Sequence, residues 1–222
     1  MRGRLLAAAL AAAAALAAAS ATTGCGGGDG RHPILFVHGF GEDDLLWYPM
    51  IERFRQDGWT RAQLNNWTYN PYQPAAVTAR EVRARVERIL TVTRAKQVDL
   101  VTHAMGSVST RYYLKVLGGT AKVAHWVSLG GPNHGSGRLE TCLVPSCLDL
   151  HRGAPFIKRL NAGNPTPGPV RYLTIRSSCD EYVSPRDSVE LAGATNVSAG
   201  CLSSVALTTD RRVYLRVREF VR

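Results

Sequence analysis

The chain has 222 residues and a mass of 24.1 kDa, with 45% hydrophobic and 20% charged residues. That length suits one substantial domain and leaves little room for two, and the composition excludes fibrous and disordered classes. The formal net charge is +10, but the basic residues are almost all Arg, with Lys only at Lys96, Lys115, Lys122 and Lys158, and they are scattered along the chain. A nucleic-acid partner is not expected, because a basic reader gathers its charge on one face or groove.

Residues 1–24 read as an export leader. Arg2 and Arg4 form a positive start, an Ala/Leu run extends from Leu5 to Ala19, and Ala19-Ser20-Ala21 is a small-residue cleavage pattern. The run is shorter than the roughly 20 apolar residues that span a bilayer. Losing the leader brings the charge to about +8. Export permits disulfides, and the five cysteines are Cys25, Cys142, Cys147, Cys179 and Cys201. The odd one is Cys25, which opens a Gly-rich tether over 25–31. Thr22-Thr23-Gly24-Cys25 resembles a bacterial lipoprotein signal, which implies a lipidated, membrane-attached Cys25. The alternative is cleavage after Ala21, leaving a free thiol. The remaining four cysteines make two disulfides in one of three connectivities.

From residue 32 onward the chain reads as a single domain, 32–222. The apolar run 33–38, followed by Gly39 and Gly41, predicts a buried parallel strand opening into a tight loop. A helix is expected over 47–57, closed by Gly58. Residues 59–69 are expected to be a strand and its exit, with Pro71 and Pro74 breaking the chain. Val82, Val86, Ile89 and Thr93 follow helical spacing within 75–94. A strand over 97–102, a helix over 106–117 stopped by Gly118-Gly119, and a strand over 123–129 come next. Residues 133–168, with two Cys, four Pro and five Gly, are expected to be irregular. Strands at 170–175 and 195–198 and a terminal helix over 213–221 complete an α/β pattern with a mostly parallel sheet and helices on both faces.

The chemistry centres on the stretch ending Thr102-His103-Ala104-Met105-Gly106. It has the strand, sharp turn and helix context of the G-x-S-x-G elbow, in which a strained turn projects a nucleophilic oxygen. Here the nucleophile slot holds Ala104.

The chain resembles the secreted bacterial class 2 lipases, small α/β-hydrolases with minimal or no lid. The resemblance covers nearly all of 32–222. It rests on Val37-His38-Gly39-Phe40-Gly41, the elbow segment from Val98 to Gly106, Arg111-Tyr112-Tyr113-Leu114-Lys115, Gly131-Pro132-Asn133-His134-Gly135, Ser177-Ser178-Cys179-Asp180-Glu181, Ala192-Gly193-Ala194-Thr195-Asn196-Val197 and Gly200-Cys201. It implies an oxyanion hole from the backbone N–H groups of Phe40 and Met105, Asp180 as retained triad acid, and Ser204 in the slot of the catalytic His. It also implies disulfides Cys142–Cys147 and Cys179–Cys201, the second joining the loops of acid and base, and a lipid or ester as small-molecule ligand. No cofactor and no metal site are expected, and a monomer is.

Two of the three triad residues are therefore missing. The six histidines are His32, His38, His103, His125, His134 and His151, and none follows Asp180, so the chain order Ser, Asp, His of this fold is not met. His38 and His103 read as elbow neighbours, His134 as a loop-orienting residue, and Ser107 and Ser109 as packed helix residues. The expectation is an exported, catalytically degenerate lipase-like protein. The alternatives are an active lipase or carboxylesterase with a rebuilt site, and an engineered Ser-to-Ala form, which Ser204 argues against because inactivation needs one change.

Overall fold

Six parallel strands, in the order β2-β1-β3-β4-β5-β6, carry the site in the computed structural model, which describes residues 30–222. The strands are β1 (Ile34–Val37), β2 (Leu64–Asn65), β3 (Val98–His103), β4 (Val123–Leu129), β5 (Arg171–Arg176) and β6 (Thr195–Ser198). The proposed leader, Cys25 and most of the tether lie outside the described residues. Residues 31–222 form one unit, in which no helix is long and apolar enough to cross a membrane.

The central strands are apolar on both faces because both faces are covered. Ile34 and Phe36 of β1 point to one side, where they meet Met50 and Phe54 of α1 (Tyr48–Gln56) and Val213, Tyr214 and Val217 of α7 (Arg211–Phe220). Leu35 and Val37 point to the other, against Val82, Val86 and Ile89 of α2 (Ala75–Thr93) and Val108 and Leu114 of α3 (Met105–Val116). The period of two in the strand and of 3.6 in the helices thus meet in two core layers. Asp210 starts α7 as a side-chain cap on the N–H groups of Arg212 and Val213.

Two expectations need correction. The strand expected over 59–69 pairs only at Leu64 and Asn65, opposite Ile34 and Leu35. A 3-10 turn at Arg61–Gln63, closed by reciprocal Thr60 and Gln63 bonds, takes up the preceding residues, and Trp67 and Tyr69 are instead buried against the α2 side of the core. The region 133–168 is not wholly irregular. It contains α4 (Pro145–Leu150) and α5 (Pro155–Asn161), each with Pro in its first turn. Proline there opens a helix rather than breaking one, because its missing N–H is not needed. Leu150, Ile157 and Leu160 bury these helices on the α2–α3 layer. A last short helix, α6 (Ala206–Thr209), precedes α7.

Candidate active site

β3 ends at His103 and α3 starts at Met105, so Ala104 alone makes the turn, with φ 46° and ψ −121°. A non-glycine residue pays about 1–3 kcal/mol for such a conformation, and it persists only where the surroundings impose it. They do here. The Ala104 N–H donates to the Leu129 carbonyl at the end of β4 (3.0 Å). Gly106 packs so close to β1 that a Cβ on it would lie 2.4 Å from the His38 carbonyl oxygen and 2.6 Å from that of Val37. The geometry that presents a nucleophile is therefore kept by a residue that has none.

Met105 is the first residue of α3, so its N–H has no acceptor within the helix. Phe40 sits in the turn after β1, half-exposed, its ring edge-on to Tyr72 at 5.2 Å. His38 holds that turn. Its Nδ1 donates to the Gly39 carbonyl (3.0 Å), its Nε2 accepts from the Tyr69 N–H (3.3 Å), and the Tyr69 hydroxyl donates to the His38 carbonyl. Burial lowers the pKa of His38, which keeps this neutral tautomer. Of the two expected oxyanion donors, Phe40 thus lies on a hydrogen-bonded turn and Met105 at a helix start.

The residues expected in the acid and base slots differ sharply. Asp180 is 1% exposed, in the loop after β5. Its Oδ1 accepts from the N–H groups of Tyr182 (2.9 Å) and Val183 (3.2 Å), and its Oδ2 is buried without a hydrogen-bond partner. Burial raises the pKa of Asp180 against those bonds and the nearby His103. Ser204, only 2% exposed, turns its Oγ to His103 Nε2 at 3.2 Å, and its N–H donates to Glu181 Oε2 at 2.9 Å. The disulfides Cys142–Cys147 and Cys179–Cys201 are both formed, and the second ties the Asp180 loop to the segment leading to Ser204.

One residue was not found in the sequence. Glu42 folds back over the elbow, its Oε2 accepting from the Gly39 N–H (2.6 Å) and from His103 Nδ1 (2.9 Å). A Cβ built on Gly39 would lie 2.8 Å from both Glu42 Oε2 and Ala104 Cβ, so the carboxylate adjoins the nucleophile slot. Burial pushes His103 down, but Glu42, Asp180 and the Ser204 carbonyl (3.1 Å from Nε2) more than offset it, and the pKa is raised. Burial likewise opposes ionisation of Glu42, and the imidazolium and the Gly39 N–H bring its pKa below the ordinary value. The only sequence signal was an acid three residues after Gly39.

The other candidates have structural roles. Ser107 is fully buried and shares a 2.8 Å bond with Thr102 Oγ1, which itself donates to the Val127 carbonyl. His134 Nε2 donates to the Glu190 carbonyl (3.0 Å), fixing its loop. Depressions of about 500 Å³ lie beside His134, Asp187 and Glu190 and beside Asp44, Tyr48 and Asn66, and Ala104 lines neither.

A parallel sheet of six strands with a strained turn between β3 and its helix gives the chain an α/β-hydrolase fold. Solved structures share this fold. The mature lipase BlEst2 of Bacillus licheniformis superposes with a TM-score of 0.77 at 16% identity, over 87% of this chain and 93% of that one. Phospholipase PlaB of Legionella pneumophila does so with 0.70 at 14%, over 87% and 60%. The family Lipase (class 2) matches residues 31–199, and the chain belongs to it. Triacylglycerol lipases of Pseudomonas fragi and Vibrio cholerae are 30% and 32% identical over 129 and 111 residues, which cover 53% and 48% of this chain and 41% and 34% of theirs. The matched stretch is thus less than half of either relative.

Proposed function

We propose that this class 2 lipase family member has lost serine ester hydrolysis and keeps the scaffold, with lipids or carboxylic esters as its ligand class. The observation that carries this reading is the unpartnered, buried Asp180 Oδ2. It is the oxygen that a catalytic imidazole would bond, and the residue in the slot of that imidazole, Ser204, faces His103 instead. Ala104 in the elbow supports the same reading, and so does Glu42, whose negative charge adjoins the place where an oxyanion would grow. The ligand class is taken from the family. It is supported by Phe40, Tyr72, Tyr182 and Val205, exposed apolar residues on loops that follow the C-terminal ends of strands.

A second reading has one observation in its favour. Glu42, His103 and Ser204 line up as acid, imidazole and hydroxyl, at 2.9 and 3.2 Å. The charge state of His103 weighs against a working relay. The raised pKa of His103 favours an imidazolium that donates from both nitrogens, to Glu42 and to the Ser204 carbonyl. Such a ring cannot accept the Ser204 proton.

The test is hydrolysis of short activated esters. The wild type is expected to fall at least about a thousandfold below an intact family member, because nucleophile and base are both absent. Ala104→Ser with Ser204→His is expected to exceed either single variant by at least about a hundredfold, since the two groups act as a unit. Wild-type turnover near about 10 s⁻¹, the enzyme median, contradicts the proposal.

We further propose that the protein is exported and anchored through lipidated Cys25, a reading that rests on the sequence of 1–25. Detergent partitioning that Cys25→Ser abolishes supports it, and a mature chain starting at Thr22 with a free thiol contradicts it.

A further inference from the structure

At the opposite end of the sheet from the elbow, three neighbouring segments bring together His32, Asp99 and His125, which lie far apart in sequence. His32 precedes β1. Asp99, near the start of β3, donates its N–H to the Pro33 carbonyl (2.9 Å) and stands in register with His125 of β4. Asp99 lies four residues before His103, roughly 13 Å along the strand, so this cluster is separate from the elbow.

We propose that His32, Asp99 and His125 form a site for a divalent transition-metal ion of the zinc class, with two imidazole nitrogens and one carboxylate oxygen as protein ligands and water in the fourth position. Asp99 Oδ1 lies 2.7 Å from His125 Nδ1 and 3.3 Å from His32 Nδ1, and one ligand atom from each of the three residues lies within 4.8 Å of the others. Tetrahedral zinc sits about 2.0–2.2 Å from such atoms, which sets them roughly 3.4 Å apart. The trio therefore needs only a slight opening between Asp99 and His125. The Asp99 side chain is 1% exposed, and its Oδ2 is buried without a hydrogen-bond partner, an unsatisfied oxygen that a cation would neutralise. Exposure rises to 31% at the His32 side chain, so that ring forms the open side of the site. Two imidazoles favour zinc-class ions over calcium or magnesium, which take oxygen ligands.

One neighbour opposes the ion. Arg171 Nη1 lies 3.5 Å from His125 Nε2, with the guanidinium over the Phe220 ring at 4.9 Å. Coordination through Nδ1 leaves the proton on Nε2, so Arg171 has to turn outward. It is an exposed residue at the start of β5 and is free to do so. The bound ion would clamp the segment before β1 to β3 and β4, a structural role independent of whether the elbow is active.

The test is calorimetric titration of the purified protein with zinc, together with the visible spectrum after cobalt(II) addition. The expected result is one saturable equivalent per chain and the intense d–d bands of a tetrahedral cobalt site. His32→Ala, a change at the open side that leaves the metal-free unfolding temperature near wild type, is expected to weaken binding at least about tenfold. His125→Asn, the second variant, is expected to do the same. No saturable uptake, or uptake that neither variant weakens, overturns the proposal.

Discussion

Two buried aspartates mark the two ends of the sheet, and each has an Oδ2 without a hydrogen-bond partner. Asp99 faces two imidazoles through Oδ1. Asp180 faces two backbone N–H groups through Oδ1, and no imidazole bonds its other oxygen. The first carboxylate belongs to a network that holds strands together. The second, in the function proposed above, is the acid left from a triad. Their difference teaches that one buried carboxylate can be held by side chains and another by backbone donors that satisfy only one of its oxygens.

Substitution separates the two most strongly. Asp99→Asn is expected to destabilise the protein by about 3 kcal/mol, because a neutral amide replaces the buried carboxylate that both imidazoles bond. Urea unfolding measures this, and a loss no larger than that of Asp180→Asn would erase the distinction. Next in size, replacing both Cys179 and Cys201 by Ala should cost about 3 kcal/mol or slightly less by releasing a 22-residue separation in the unfolded chain. The Asp180 and Ser204 segments should then show faster amide exchange than the β1–β3 core.

The elbow offers a sharper contrast, since here a change should stabilise. Ala104→Gly relieves the strained turn and is expected to add about 1 kcal/mol, after allowing for the greater freedom of glycine in the unfolded chain. A loss of stability would mean that the turn is not strained for Ala104.

Asp180→Asn should be the mildest, within about 1 kcal/mol of wild type at neutral pH and on the stable side. The folded-state pKa of Asp180 is raised, so its carboxylate costs stability above that value. The cost disappears as pH falls through it, and the gap between variant and wild type should close in acid. His103 has the opposite sign. Its raised pKa gives stability fully present below about 6.5 and lost as pH rises through the folded value. His103→Gln should flatten that alkaline limb in thermal unfolding measured across pH.

Much of this was legible in the sequence. The strand 33–38 is built on the continuous apolar run 34–37 before Gly39, 97–102 and 123–129 each carry two Val, and α2 carries Val82, Val86 and Ile89 at helical spacing, so these elements fell within a residue or two. The two helices at Pro145 and Pro155 were missed because a proline reads alike as a break and as a first-turn residue. Ala104 and Ser204 stood out through ordered motifs. Glu42 did not, because its reach to His103 spans 61 positions. His32, Asp99 and His125 have no ligand spacing at all, and only parallel register makes them neighbours.

The central claim is that the elbow presents no nucleophile. Labelling by a serine-directed phosphonate, read by intact mass and peptide mapping, tests it most directly, because the probe reports an activated hydroxyl whatever the natural ligand. The wild type should take up none, while Ala104→Ser with Ser204→His should gain one adduct at position 104. Stoichiometric labelling of the wild type at Ser204 would contradict the account and make Glu42, His103 and Ser204 a working relay.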